Sequence, residues 1–156
     1  MAARSIVRGL AEGGLVEYGP LLIVEDSDED FYAMRRALGK SLPCEVLRCR
    51  TGSEALDYLF RRGPHAQAAP PSLVLLDLNL PGQDGRSVLE QVKRDAALRA
   101  TPVVVVSTSD NPADIAQCYA GGCSGYLVKV LAYERLAAAL QVLCAYWFTV
   151  VTLPRP

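Results

Sequence analysis

Five residues in this sequence pair a reactive side chain with the same kind of position, the end of a short apolar run. Glu25 and Asp26 follow LLIV, Asp77 follows LVLL, Ser107 follows VVVV and Lys129 follows YLV. Clustered carboxylates cannot all ionise cheaply without a cation beside them. An all-oxygen donor set with room for water and phosphate is what Mg²⁺ prefers. A carboxylate beside such an ion can attack phosphorus and form an aspartyl phosphate. An ammonium and a hydroxyl at the same place neutralise and hydrogen-bond the oxygens of the transferring group.

Taken singly, each residue also has an ordinary reading. Glu25 and Asp26 run into Asp28, Glu29 and Asp30, an acidic helix entry that suits the helix dipole. Lys129 alone reads as a surface lysine, and Ser107 alone says nothing. Asp77 is harder to explain that way, because an acid closing a buried strand loses solvation without a partner. Jointly, in this order and each at a strand end, they favour a site.

The elements that must hold these residues alternate between strand and helix. Residues 21–25 are an apolar run ending in acids. In Asp28–Leu38, Phe31, Met34, Ala37 and Leu38 fall at helical spacing before the stop at Gly39. Residues 44–50 alternate as a strand does, and Thr51 with Glu54 forms a capping box for the next helix, which carries Leu56, Leu59 and Phe60. After the Pro/Ala-rich loop 63–71 come the strand Leu73–Leu76, the turn Pro81-Gly82 and a helix marked by Val88, Leu89 and Val92. A buried strand at 103–106 follows, then a helix from Pro112 to Gly121-Gly122, a short strand at 126–128 and a last helix at 132–148. Continuous apolar strands between helices imply a parallel sheet covered on both faces. Such an α/β, doubly wound sheet places its ligands at the carboxyl ends of the strands. That edge is where the five residues fall.

Bulk properties narrow the class. The chain has 156 residues, 51% apolar and 21% charged, with a net charge of −1, which suits one domain and offers no general attraction for nucleic acid or acidic membrane. Arg4, Arg8, Glu12 and paired glycines interrupt the N-terminal apolar positions, so no signal-peptide core is expected and a cytoplasmic location is the default. Residues 1–19 read as a weakly ordered extension, with a short helix at about 4–10, and residues 20–156 as the domain. The five cysteines have no CxxC spacing and His65 is the only histidine, so free thiols rather than a zinc site are expected.

LLIVEDSDED, LVLLDLNLPGQDG, PVVVVSTSD and GYLVK, in that order, resemble the receiver domain of two-component response regulators from about Leu21 onward. The resemblance implies a flavodoxin-like, five-stranded sheet of order 2-1-3-4-5 and a phosphoacceptor at Asp77. It implies Mg²⁺ held by Asp26, Asp77 and the Asn79 carbonyl, with Glu25 acting through water. Ser107 matches the switch hydroxyl, Tyr126 the switch aromatic and Lys129 the lysine. Thr108 is the neighbour most easily confused with Ser107, and Asn79 and Ser109 stand where the family tunes dephosphorylation. On this reading the chain is no enzyme in the usual sense, beyond a slow autodephosphorylation. One departure is Val130, which stands where the family has a proline with a cis bond. A cis bond to a non-proline residue costs about 3 kcal/mol, so a trans peptide and a reshaped loop are expected. RTGSEALDYLFRRG, LLDLNLPG and AYWFTVVTLP also look like the small response regulators that serve bacterial phytochromes, which implies a phytochrome histidine kinase as partner.

The last helix places Leu136, Leu140, Leu143 and Trp147 on one stripe, yet Tyr133, Ala137, Val142, Cys144, Tyr146 and Phe148 are apolar too. That excess predicts a homodimer through Tyr133, Ala137, Tyr146 and Phe148, unless residues 149–154 fold back over this face. Two other functions stay open: a dimeric receiver-shaped scaffold that is never phosphorylated, and an aspartate-nucleophile phosphohydrolase. Such hydrolases favour a second Asp two residues on as the acid, and Asn79 cannot supply that proton. A flavodoxin-type redox protein is weaker still, since no Ser/Thr/Gly-rich phosphate loop follows the first strand.

Overall fold

The computed structural model describes residues 6–8, 15–40 and 42–154. Its first feature corrects the expected short helix near the N-terminus. Strand β1 (Ile6–Arg8) pairs antiparallel with β2 (Leu15–Glu17), Val7 lying beside Val16. Ile6 and Val7 are β-branched and favour extended backbone. The rest of the expected helix lies outside the described residues.

The main sheet contains β3 (Leu21–Val24), β4 (Val46–Cys49), β5 (Leu73–Leu76), β6 (Val103–Ser107) and β7 (Gly125–Val128), all parallel, in the spatial order β4-β3-β5-β6-β7. Counted within this sheet alone, the order is 2-1-3-4-5, as the resemblance implied. Every residue of β3, β5 and β6 is buried, the pattern of strands covered on both faces.

Side chains alternate between the two faces. Leu22, Val24, Val74, Leu76, Val103 and Val105 pack against α2 (Gly52–Leu59), α3 (Gly85–Arg94) and Cys118 of α4 (Pro112–Ala120). Leu21, Ile23, Leu73, Leu75, Val104 and Val106 pack against α1 (Asp28–Leu38) and α5 (Tyr133–Ala145). The caps follow the sequence. Thr51 Oγ1 accepts from Glu54 N–H at 3.1 Å, although Glu54 returns its bond to Arg50 N–H rather than to the cap itself. Pro112 stands at the first position of α4.

Cys44, Cys49, Cys118, Cys123 and Cys144 are all free and buried. Burial pushes the Cys44 thiol up to about 11 and those of Cys49 and Cys144 to about 12, so they stay protonated and act as packing groups. No helix among the described residues is long and apolar enough to cross a membrane.

Candidate functional site

The parallel register carries the strand-end residues to one edge. Val24 pairs with Leu76, so Glu25 and Asp77 leave the sheet side by side, and because Leu76 pairs with Val105, Ser107, the last residue of β6, lies one register position further along the same edge. Asp77 N–H still bonds to the Val24 carbonyl at 3.1 Å, and Lys129 N–H to the Ser107 carbonyl at 2.7 Å. The ladder thus holds the first residue past the strand on both sides of the site.

Glu25 and Asp77 are buried and Asp26 is exposed, and carboxylate oxygens of the three lie within 4.8 Å of one another. Lys129 Nζ donates to Glu25 Oε2 at 2.5 Å, to Asp30 Oδ2 at 2.9 Å and to Asp77 Oδ2 at 3.1 Å. From its place in the sequence, Asp30 is expected only to complement the helix dipole. Its second role comes from the third residue of α1, where Ser27 caps the helix by accepting from Asp30 N–H at 3.2 Å. An acid at that position points back over the strand end, but sequence alone cannot say which cation it meets.

One ammonium faces several carboxylates, and the imbalance displaces the pKa values of the buried pair. Burial, with only partial relief from Lys129 and a further push from Asp77, raises Glu25 to about 7. Burial also works against the Lys129 charge, but the hydrogen bonds it donates to Glu25 and Asp30 and the field of Asp77 more than reverse it, so its pKa is raised. Three oxygen donors with surplus negative charge and one exposed member suit a small hard cation that keeps some of its water.

The acceptor loop is pinned from below. Asn79 N–H donates to Asp77 Oδ1 at 3.1 Å, and Gly85 N–H to the Leu78 carbonyl at 2.9 Å. A Cβ on Gly85 would lie 2.1 Å from the Asp77 carbonyl oxygen, so only glycine lets α3 start this close to the site. Gly82 turns the loop with φ +75°, a conformation that glycine adopts without strain.

Residues 21–141 match the family model described as the response regulator receiver domain. The chain belongs to the response regulator receiver family. It is 36% identical over 135 residues to the response regulator Rcp1 of Synechocystis sp., covering 86% of this chain and 92% of that protein. It is 39% identical over 145 residues to the probable methanogenesis regulatory protein FilR2 of Methanothrix harundinacea, covering 89% and 92%. The crystal structure of the phosphorylated cyanobacterial phytochrome response regulator RcpA superposes with a TM-score of 0.84 at 38% identity, over 88% of this chain and 99% of that one. A crystal structure of Rcp1 holds Mn²⁺ and superposes with a TM-score of 0.83 at 35% identity, over 88% and 99%.

In this receiver, Ser107 is fully buried at the strand end and Thr108 is exposed. Ser107 Oγ accepts from Ser109 N–H at 3.2 Å. Tyr126 OH donates to the Ser109 carbonyl at 2.9 Å, and Ser109 Oγ donates to Asp114 Oδ2 at 2.6 Å. Arg86 of α3 reaches Asp114 Oδ1 at 2.7 Å, so one polar chain joins β7, the β6–α4 loop, α4 and α3. Every peptide bond among the described residues is trans, including Lys129–Val130.

The receiver's last helix divides the residues expected at a dimer interface. Ala137 and Phe148 are buried against the chain's own core, and Tyr133 is half-buried beneath the Arg36 guanidinium, 4.1 Å from its ring centroid. Tyr146 is exposed. A five-residue π-helical turn, Tyr146–Val150, ends the helix with a bond from Val151 N–H to the Tyr146 carbonyl. Phe148 continues the buried row of Ala137 and Cys144, and Trp147 beside it is half-buried. Leu153 is buried as well, so the tail covers part of this face.

Proposed function

We propose that this chain is a single-domain response regulator that accepts a phosphoryl group on Asp77 from a sensor histidine kinase, a bacterial phytochrome, in a Mg²⁺-dependent reaction. One observation carries the reading: Lys129 Nζ sits 3.1 Å from Asp77 Oδ2, in a cup where oxygens of Glu25, Asp26 and Asp77 lie within 4.8 Å of one another. Asp26, Asp77 and the Asn79 carbonyl would hold the ion, with Glu25 acting through water. Held by these residues, Mg²⁺ would supply charge neutralisation for the phosphoryl oxygens.

Asp77 attacks phosphorus in line with the departing histidine nitrogen. The bond from Asp77 oxygen to phosphorus forms as the donor's phosphorus–nitrogen bond breaks, and its electron pair leaves with the imidazole. Lys129 exchanges a carboxylate partner for a phosphoryl oxygen. The Ser107 hydroxyl, which accepts from Ser109 at rest, has a proton free to donate to another phosphoryl oxygen. Drawing Ser107 inward pulls the loop to which Tyr126 is bonded, altering the surface of the last two helices and strand. Asn79 and Ser109 stand beside the acyl phosphate and set its slow hydrolysis.

The description of RcpA as a phytochrome response regulator supports a phytochrome kinase. The similar identity to FilR2 makes direct transfer the deciding assay for that partner. Val142, Tyr146 and Val150 are 71%, 47% and 73% exposed and follow one another along the end of the chain's last helical segment, which supports a homodimer. Incubation with Mg²⁺ and a small phosphodonor, followed by intact mass, tests the central step. Native protein gains one phosphoryl group and Asp77→Asn gains none. Steady release of phosphate from a monoester, without stoichiometric labelling, contradicts it.

A further inference from the structure

Arg48 lies on β4, a strand away from the phosphoacceptor, yet its donors converge on the backbone that carries the acid pair. Nε donates to the Glu25 carbonyl at 3.0 Å, Nη2 to the Asp26 carbonyl at 3.1 Å and Nη1 to Asp28 Oδ1 at 2.6 Å. The guanidinium also lies over the Phe31 ring, 4.5 Å from its centroid, and its side chain is only 11% exposed. The flat fork can span two carbonyls and a carboxylate at once, which a lysine cannot do.

The two members of the pair are held differently. The Glu25 side chain is fixed by Lys129 and by Ser27 N–H at 3.1 Å. The Asp26 carboxylate is exposed, and no hydrogen bond or ion pair among the described residues holds it. Its aim is therefore set through its backbone, where the partner of its carbonyl is Arg48. Because the guanidinium engages carbonyls and Asp28, it leaves the carboxylate oxygens that face Asp77 free.

We propose that Arg48 is a positioning residue of the cation site: it clamps the Glu25–Asp26 backbone so that the Asp26 carboxylate stays aimed at Asp77. It thereby sets affinity for the divalent ion and not the rate of transfer once the ion is bound. This rests on reading the acid cup as a divalent-cation site. Groups that orient ligands in this indirect way change metal affinity about 10–100-fold when removed.

The test uses the full chain, with Mn²⁺ affinity read from the free-ion electron paramagnetic resonance signal and small-donor phosphorylation followed against Mg²⁺ concentration. Arg48→Met keeps an unbranched stem over Phe31 and removes every donor. Its Mn²⁺ affinity falls about tenfold or more, and the Mg²⁺ needed for half-maximal phosphorylation rises in step, while the rate at saturating Mg²⁺ stays native. Arg48→Lys is intermediate. Arg50→Met, which removes the other arginine bonded to Asp28 at 2.6 Å, leaves affinity unchanged and so separates positioning from charge. Native Mn²⁺ affinity in Arg48→Met, with affinity lost in Asp26→Asn, overturns the role of Arg48 alone. Native affinity in Asp26→Asn overturns the cation site itself, and this role with it. A saturating rate that falls together with affinity marks Arg48 as merely structural. Should the Met variant not fold, the Lys variant decides by the same two readings, native affinity refuting the clamp.

Discussion

Lys129 is the residue on which the charge balance of the cup turns. Its ammonium meets Glu25, Asp30 and Asp77 and is largely buried, so Lys129→Met leaves mutually repelling carboxylates with no cation. Breaking a buried pair from one side costs about 3 kcal/mol, and chemical denaturation without metal should show a loss of that size. Mg²⁺ should return part of it. Glu25 adds a pH dependence. Its ordinary value is 4.5 and its folded value about 7, so between these the folded chain holds a proton that the unfolded chain has released. Its contribution to stability is therefore present at low pH and is lost as pH rises through about 7. Metal binding runs the other way, because the ion competes with that proton. Affinity for Mg²⁺ should rise about tenfold from pH 6 to pH 8, and Glu25→Gln should flatten the change. Isothermal titration at the two pH values measures it. The strand-end residues were legible because each closes an apolar run. Asp30 and Arg48 were not, since their roles depend on partners 99 and 22 or 23 residues away in the chain.

At the scale of elements, α3 is the most constrained by the site. Gly85→Ala puts a methyl group 2.1 Å from the Asp77 carbonyl, so the helix start or the acceptor must move. Phosphorylation rate and thermal midpoint should both fall, whereas Gly39→Ala, with nothing near its Cβ, should leave the rate intact. The end of α2 offers the opposite change. Arg62 N–H bonds to the Asp57 carbonyl and Arg61 N–H to that of Tyr58, a helix-ending motif that favours glycine at Arg61, whose φ is 55°. Arg61→Gly should stabilise the fold by about 0.5–1 kcal/mol in urea melts, strain relief exceeding the added chain entropy. Capping at Thr51 and Pro112 was readable, because it depends on local hydrogen bonding. The β1–β2 ribbon was not, since pairing with a second segment decided against the helix. The α5 stripe was read one position out of phase. Leu136 and Leu140 are buried as expected, but Ala137, Cys144 and Phe148 fill the core where Leu143 and Trp147 were placed. Ala137 and Cys144 lie within α5, ahead of the π turn at Tyr146–Val150, so packing against α1 and the sheet sets the buried stripe, which a helical period alone does not reveal.

For the molecule as a whole, the sheet order followed from the family resemblance, but the outer surface did not follow from composition. The apolar excess of the last helix is partly absorbed by the tail through Leu153 and by Tyr18, whose hydroxyl donates to the Phe148 carbonyl at 3.0 Å. What remains outside is Val142, Tyr146 and Val150. If this stripe joins two copies, Val142→Lys with Tyr146→Glu should shift sedimentation at micromolar concentration from dimer to monomer while leaving phosphorylation by a small donor intact. Monomer in the native protein, with and without a phosphoryl analogue, removes the dimer. The site and the fold serve one claim, that the cup captures phosphate covalently on a single carboxylate. Borohydride reduction of the phosphorylated chain, followed by peptide mass mapping, locates that bond. Asp77 alone should be converted to homoserine, and only after incubation with Mg²⁺. Conversion of another acid, or unmodified Asp77 after full labelling, contradicts the account.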